Sequence, residues 1–273
     1  MNCIICNSNS EYFFSKKYTE APYDQFMNEI GEVVYFKCVK CGFVLSKTHS
    51  ELNKHQWEKL NNLTHNYHEN PDNPKMGNQP PYIEQALMLL ILGKNGIINT
   101  KNMLDYAAGY GTLSMLLSKY FNLHLPIYDP YVTNGDTNRY IKKDHLEQYK
   151  TVLNSAMFEH ILNRDDLNNV NNLVDKDGCL IIHTVICENI PLDPNWFYMR
   201  PPVHTAFHTN KSMEILMNQW GYFSSIYCPK SKCWILFKKE LDNIDKVILS
   251  TNQEFQTDFF YYKKGFVDYW KGF

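Results

Sequence analysis

The sequence has few arginines and no surplus of positive charge. Arg139, Arg164 and Arg200 are its only arginines, and 27 lysines and arginines face 29 aspartates and glutamates, which gives a net charge of −2. Proteins dedicated to nucleic acid usually carry a basic excess that displaces counterions from phosphates. This composition therefore disfavours a nucleic-acid partner.

Long apolar runs are also missing. No stretch of the sequence reaches the roughly 18 consecutive apolar residues of a membrane-spanning helix. The segment from Met1 to Cys6 lacks the basic start and apolar run of a secretory signal peptide. With 273 residues, 44% of them apolar and 21% charged, the composition excludes wholesale disorder and allows one large domain or two modest ones. We therefore expect a cytoplasmic protein with no membrane span.

Eight cysteines are present, but their positions argue against disulfide bonds. Cys3 and Cys6 form a C-x-x-C pair, and Cys38 and Cys41 form an identical one. Four thiolates on two such turns can surround a structural zinc ion tetrahedrally, and the strand-like segments on both sides of the second pair are typical of a zinc ribbon. A redox pair and a chance coincidence are the alternatives. The other cysteines lie in apolar sequence and are expected to be buried: Cys179, Cys187, Cys228 and Cys233.

After the cysteine pairs, the sequence predicts helices and then an alternation of strands and helices. Helices are expected over 50–66, 82–92 and 112–120, the second ending at Gly93, with a turn-rich connector over 70–81. Strands are expected over 102–106, 124–129, 150–154 and 178–185. This order predicts an α/β fold with a doubly wound, Rossmann-like sheet, in which ligands lie beyond the carboxyl ends of the strands.

A turn of small residues follows the first strand of this alternation. Ala107, Gly109 and Gly111 let a ligand approach the backbone closely at the start of the next helix. Asp129 lies 18 residues after Gly111, at the end of the second strand, where an acid can accept hydrogen bonds from both hydroxyls of a ribose. We expect a cofactor that contains a nucleoside, and the alternative is a purely structural turn.

These motifs resemble those of class I S-adenosylmethionine (SAM)-dependent methyltransferases. Residues 104–112 (Leu-Asp-Tyr-Ala-Ala-Gly-Tyr-Gly-Thr) are similar to the first motif of that family, with Ala107 in place of its first glycine. A dinucleotide dehydrogenase would need a third spaced glycine, which is absent. The resemblance covers roughly residues 80 to 240 and implies SAM as the cofactor. It assigns cofactor binding to Asp105, Ala107, Gly109, Gly111, Asp129, Pro130, Asp144, His145, Leu146 and Asn154.

The N-terminal zinc module is similar to one found in methyltransferases that act on nucleotide-linked sugars. The two histidines of those enzymes correspond to His160 and His204. Members that methylate carbon have a tyrosine and a glutamate where this sequence has Pro201 and Val203, so the resemblance favours O-methylation. Because imidazole can take the proton of a hydroxyl, His204 is expected to be the general base and His160 is the second candidate. The alternative for both histidines is a purely structural role. Glu159, next to His160, could orient a histidine, bind the cofactor or stabilise the start of a helix.

The sequence thus predicts four consecutive parts. They are a zinc module over 1–50, a helical connector over 51–98, a SAM-binding domain over 99–240 and an aromatic tail over 241–273, which is expected to pack on the body or on a partner chain, as in a homodimer. We expect O-methylation of a small sugar- or phosphate-containing, nucleotide-linked acceptor in surface polysaccharide synthesis. The alternatives are an rRNA or tRNA base methyltransferase and a non-enzymatic zinc-ribbon interaction protein on a degenerate methyltransferase fold.

Overall fold

A computed structural model describes residues 1–68, 80–132 and 136–268. The chain forms two compact units that are interleaved along the sequence. Unit 1 and unit 2 are each assembled from three segments of chain. Unit 1 consists of Met1–Gln79, Glu159–Asp166 and Val185–Ile215, and unit 2 consists of Pro80–Phe158, Leu167–Thr184 and Leu216–Phe273.

The described residues contain twelve strands and eight α-helices. The strands are β1 (Ser10–Lys16), β2 (Val33–Cys38), β3 (Val44–Ser46), β4 (Met103–Tyr106), β5 (Ile127–Tyr128), β6 (Tyr149–Ser155), β7 (Val174–His183), β8 (Ile186–Cys187), β9 (Ala206–Thr209), β10 (Ser224–Cys228), β11 (Cys233–Phe237) and β12 (Tyr261–Lys264). The helices are α1 (Tyr23–Phe26), α2 (Lys47–Ser50), α3 (Lys54–His68), α4 (Tyr82–Lys94), α5 (Thr112–Phe121), α6 (Arg164–Asn172), α7 (Asn210–Gln219) and α8 (Ile244–Glu254).

Unit 1 is built on a five-stranded sheet in the order β1-β2-β3-β9-β8. The strands expected on both sides of the second cysteine pair are present as β2 and β3. Strand β3 also pairs with β9, so that Val44 lies opposite Phe207. The first 50 residues therefore share their sheet with residues from much later in the chain, which is why unit 1 is discontinuous.

Unit 2 is built on a seven-stranded sheet in the order β12-β10-β11-β7-β6-β4-β5. Strands β5, β4, β6 and β7 are parallel, whereas β11 is antiparallel to both β7 and β10. The α/β class expected from the sequence is confirmed. The carboxyl ends of the four parallel strands lie at one edge of the sheet, where ligands of such folds bind.

Both faces of this sheet are buried along its central strand β7. Along β7, Cys179 and Ile181 belong to the core cluster that includes α4, α5 and α8, while Leu180 and Ile182 alternate with them and are also fully buried. Side chains alternate between the two faces of a strand, so a strand covered on both sides is apolar throughout. This explains the continuous apolar run in the sequence of β7.

Three elements differ from their sequence predictions. The second strand is only Ile127–Tyr128, because Pro126 has no N–H to donate to a neighbouring strand. The helix expected over 50–66 is instead α2 followed by α3, and the break has a capping box in which Asn53 and Gln56 accept each other's backbone N–H groups. Gly93 lies inside α4 rather than after it, and a Cβ there would be 2.4 Å from Thr100 Cγ2.

The aromatic tail packs on unit 2 as far as it is described. Phe259 and Phe260 are buried in the core of that unit, and β12 adds to the sheet beside β10. Phe266 stacks on Trp234 with the ring centroids 6.0 Å apart. Tyr269, Trp270 and Phe273 lie outside the described residues, as does the predicted connector from Asn70 to Gln79.

No helix among residues 1–68, 80–132 and 136–268 combines the length and apolarity that crossing a bilayer requires.

Candidate functional site

The small-residue turn of unit 2 joins the carboxyl end of β4 to the start of α5. Ala107, Gly109 and Gly111 all have positive φ angles, of 61°, 53° and 73°. Gly111 directly precedes α5, and a Cβ on it would lie 2.8 Å from Ile127 Cδ1. The left-handed backbone and this close approach explain the glycine at 111.

Asp129 is tied directly to this turn. Its Oδ2 accepts a hydrogen bond of 2.9 Å from the backbone N–H of Gly109, and its Oδ1 accepts from the N–H groups of Tyr131 and Val132. A ribose at this position would therefore share the Asp129 carboxylate with the turn. Pro130, which follows Asp129, is exposed to solvent.

Asp105, on β4, is a buried acid beneath the turn. Burial raises the pKa of its carboxyl well above the usual range, and the negative charge of Asp129 adds to this effect. Its Oδ1 has no hydrogen-bond partner among the described residues. Gln85 of α4 is equally buried and donates to Ser155 Oγ at 3.0 Å, while its Oε1 has no partner within the described part of the chain. Such buried polar atoms at the carboxyl end of a sheet fit a polar ligand.

The remaining cofactor candidates are placed differently. The buried amide of Asn154 donates to Tyr106 O and accepts from Met157 N, so it joins the ends of β6 and β4. Asp144 and His145 are exposed and Leu146 is half-buried. His145 lines a cavity of about 450 Å³ together with residues at the amino-terminal starts of β4 and β6. That Asp144, His145 and Leu146 cover the adenine of the cofactor remains a prediction.

The four cysteines of the predicted zinc module meet in unit 1. Their Sγ atoms all lie within 4.8 Å of one another, with separations of 3.6 Å for Cys3–Cys41, 3.4 Å for Cys6–Cys38 and 3.6 Å for Cys6–Cys41. A tetrahedral zinc ion with Zn–S bonds of about 2.3 Å separates its sulfur ligands by about 3.8 Å. The cluster therefore fits a structural zinc ion. Arg164 supplies a nearby positive charge and donates to the carbonyls of Ile4 and Ile5.

His160 and His204 also meet in unit 1. Their ring centroids are 5.0 Å apart, and His204 Nδ1 is 2.6 Å from the carbonyl oxygen of Tyr198. A carbonyl can only accept, so Nδ1 carries the proton and Nε2 carries the lone pair. Burial lowers the pKa of His204 to about 3, and it lowers the pKa of His160 as well, so both imidazoles are neutral near pH 7.

Glu159, Tyr198 and His204 are linked in a hydrogen-bonded network. The hydroxyl of Tyr198 donates to Glu159 Oε1 at 2.7 Å and accepts from the backbone N–H of Val185. Glu159 is 4% exposed. Tyr198 therefore contacts Glu159 through its side chain and His204 through its backbone.

Cationic and aromatic side chains of unit 1 surround the loop that carries His204. Lys16 Nζ and the hydroxyl of Tyr18 both donate to the carbonyl of Met199, and Tyr35 donates to the carbonyl of His204. Arg200, in the same loop, lies 3.6 Å from Glu20. These contacts fix the path of the loop.

Sequence reasoning did not single out Gln85 or Tyr198. Gln85 is one polar residue within the apolar sequence of α4, and this signal is weak because many buried helices carry one. Tyr198 stands in the run Trp196-Phe197-Tyr198 just before the histidine loop, and an aromatic run beside a candidate catalytic residue could have marked it.

The sequence matches no protein-family model and no curated protein. Among solved structures, the plantazolicin methyltransferase BpumL, in complex with a pentazolic desmethylPZN analog and SAH, is similar over 68% of this chain and 98% of its own, with 12% identity and a TM-score of 0.41. An O-methyltransferase family protein from Burkholderia thailandensis is similar over 70% of this chain and 61% of its own, with 14% identity and a TM-score of 0.43. Coclaurine N-methyltransferase, bound to N-methylheliamine and SAH, is similar over 46% of this chain and 46% of its own, with 19% identity and a TM-score of 0.33. The α/β class of unit 2 follows from the order and direction of the strands in its own sheet.

Proposed function

We propose that this protein is a SAM-dependent methyltransferase. The observation that carries the proposal is the arrangement at the carboxyl ends of β4 and β5. There a left-handed turn through Gly109 and Gly111 leads into α5, and the Gly109 N–H donates a hydrogen bond to Asp129. Buried Asp105 lies beneath this turn, and its Oδ1 has no hydrogen-bond partner among the described residues. This combination suits a ligand that brings a ribose and further polar groups.

The sheet order favours SAM over a dinucleotide. In the dinucleotide-binding fold, all six strands are parallel and three spaced glycines open the first helix. Here β11 runs antiparallel between β7 and β10, and the third glycine is absent. The family resemblance of residues 104–112 points the same way.

The proposed reaction transfers a methyl group to a hydroxyl oxygen. SAM would supply an electrophilic methyl carbon on a positively charged sulfur. The acceptor oxygen would form the new bond to this carbon while the carbon–sulfur bond breaks and its electron pair stays on sulfur. His204 would take the hydroxyl proton on Nε2, the nitrogen that its Nδ1–H bond to Tyr198 leaves with a lone pair. Because burial lowers the pKa of His204 to about 3, the imidazole is a weak base, and positioning of the acceptor has to supply much of the acceleration. His160 is the second candidate for this role.

For the acceptor, we propose a small sugar- or phosphate-containing molecule, of the nucleotide-linked kind used in surface polysaccharide synthesis. The resemblance of the zinc module supports this class. Lys16 and Arg200 support it further, because they place positive charge beside the histidine loop, where a phosphate could bind.

Calorimetric titration of S-adenosylhomocysteine (SAH) into the zinc-loaded protein tests the cofactor. We expect micromolar binding that Asp129→Asn weakens at least tenfold, because the neutral amide holds both the turn and the ribose hydroxyls less well. Asp242→Asn is the matched control, since Asp242 is an exposed acid of unit 2 and should bind SAH as the parent protein does.

Absence of binding heat across several temperatures would contradict the methyltransferase proposal and favour the non-enzymatic alternative. Binding that survives Asp129→Asn unchanged would move the cofactor site away from this turn. If binding is established, methyl transfer to hydroxylated, nucleotide-linked acceptors can be screened with and without His204→Gln.

A further inference from the structure

The histidine pair of unit 1 has a third neighbour with metal-binding chemistry. One ring nitrogen of His160, one of His204 and a carboxylate oxygen of Glu159 all lie within 4.8 Å of one another. The cluster is separate from the four cysteines in its donor atoms, since it offers nitrogen and oxygen instead of sulfur. Methyl transfer with a histidine base requires neither the carboxylate nor this convergence.

The outer contacts of these residues are those of metal ligands. Ligand histidines almost always donate their second ring N–H to a carbonyl or carboxylate, and ligand carboxylates are themselves hydrogen-bonded. His204 Nδ1 donates to the carbonyl of Tyr198, and Glu159 Oε1 accepts from the hydroxyl of Tyr198. One residue thus orients two of the three donors.

His160 adds an independent observation. Its Nδ1 is buried and has no hydrogen-bond partner among the described residues. A buried ring nitrogen without a partner is costly unless something binds it. A metal ion bound to Nδ1 would satisfy this atom, which no side chain described here does.

We propose that Glu159, His160 and His204 bind one divalent transition-metal ion. Two imidazoles and one carboxylate favour zinc or a neighbouring transition metal over magnesium and calcium, which prefer oxygen ligands. Three protein ligands leave a fourth position of a tetrahedral ion open, in contrast to the closed four-cysteine site. Because the ion is held on Nε2 of His204, this imidazole acts as the proposed base only in protein whose Glu159, His160 and His204 hold no metal.

Zinc titration of protein that already holds its cysteine-bound zinc tests this site without cofactor or acceptor. We expect one further equivalent of Zn²⁺ to bind in calorimetry, with micromolar or tighter affinity. Glu159→Gln, His160→Gln and His204→Gln should each weaken this second equivalent at least tenfold. His55→Ala, which removes an exposed histidine from α3, is the matched control and should keep it.

Retention of the first, cysteine-bound equivalent and an unchanged circular dichroism spectrum show that each variant is folded. Glu159→Gln keeps the size of the side chain, so it tests the site even if a histidine variant fails to fold. Absence of a second equivalent in the parent protein overturns the proposal, and so does a second equivalent that survives all three substitutions. SAH binding measured in parallel reports on the proposed function separately.

Discussion

At the scale of single residues, Ala107 is a non-glycine residue with left-handed backbone in the turn before α5. Its φ of 61° places an L-residue in the left-handed region, which costs about 1–2 kcal/mol, whereas glycine adopts it without a steric penalty. Allowing for the greater flexibility of glycine in the unfolded chain, we expect Ala107→Gly to raise the free energy of unfolding by about 0.5–1 kcal/mol. Urea unfolding measures this. Ala108→Gly, the neighbouring change, should lower the free energy of unfolding instead, and a loss of stability in Ala107→Gly would contradict the argument.

A second effect of a single residue is the pH dependence that His49 brings to unit 1. Burial lowers the pKa of His49 to about 4, against about 6.5 in the unfolded chain. Between pH 6.5 and pH 4 the unfolded state binds more protons at His49 than the folded state does. The free energy of unfolding is therefore highest above pH 6.5 and falls as the pH drops towards 4. The contribution lost between pH 7 and pH 5 is about 2 kcal/mol.

His49→Gln should therefore make the free energy of unfolding less dependent on pH over this range. The measurement is urea unfolding of both proteins at pH 7, 6 and 5, compared as differences so that other titrating groups cancel. Equal pH dependences in the two proteins would show that His49 is protonated as easily in the folded state as in the unfolded one.

At the scale of elements, the start of α5 depends on Gly111. A Cβ at this position combines a φ of 73° with an approach of 2.8 Å to Ile127 Cδ1. We expect Gly111→Ala to lower the free energy of unfolding by about 2–3 kcal/mol, from backbone strain and crowding together, and to weaken SAH binding. Gly96→Ala is the control, because Gly96 has the same kind of backbone with nothing within 4 Å. It should lose only the strain contribution and bind SAH normally.

What could be predicted from the sequence at this scale is the chemistry that is local in the chain. Strand β4, the turn that follows it and Asp129 all lie within residues 103–129, and the C-x-x-C pairs are recognisable from the spacing of their cysteines. The environment of His204 is different, because Glu159 lies in the separate segment 159–166 and is linked to His204 through Tyr198 only after the chain has passed through unit 2 and returned to unit 1. Local patterns carry no signal for such meetings. The short β5 and the continuation of α4 through Gly93 likewise depend on tertiary packing.

At the scale of the whole molecule, the interleaved chain raises the question of how far the two units depend on each other. Segments 159–166 and 185–215 leave unit 2 and re-enter it, so in that unit they act as loops. The entropic cost of closing a flexible loop grows only slowly with its length. Loss of order in unit 1 should therefore weaken unit 2 less than it weakens unit 1 itself.

Removal of the zinc ion that we expect at the four cysteines tests this dependence. Structural zinc sites contribute directly to folding, so Cys38→Ser should bind one equivalent of zinc fewer and lose the cooperative melting of unit 1. Because the proposed SAM site is built from β4, α5 and β5 of unit 2, SAH affinity should stay within about tenfold, since only loop entropy changes there. Metal analysis, thermal melting by circular dichroism and SAH calorimetry measure the three quantities. Cys187→Ser, a buried cysteine of unit 1 outside the cluster, is the control and should keep its zinc. If SAH binding disappears together with the zinc, the two units fold as one, and the cofactor site depends on the N-terminal cysteines as much as on its own turn.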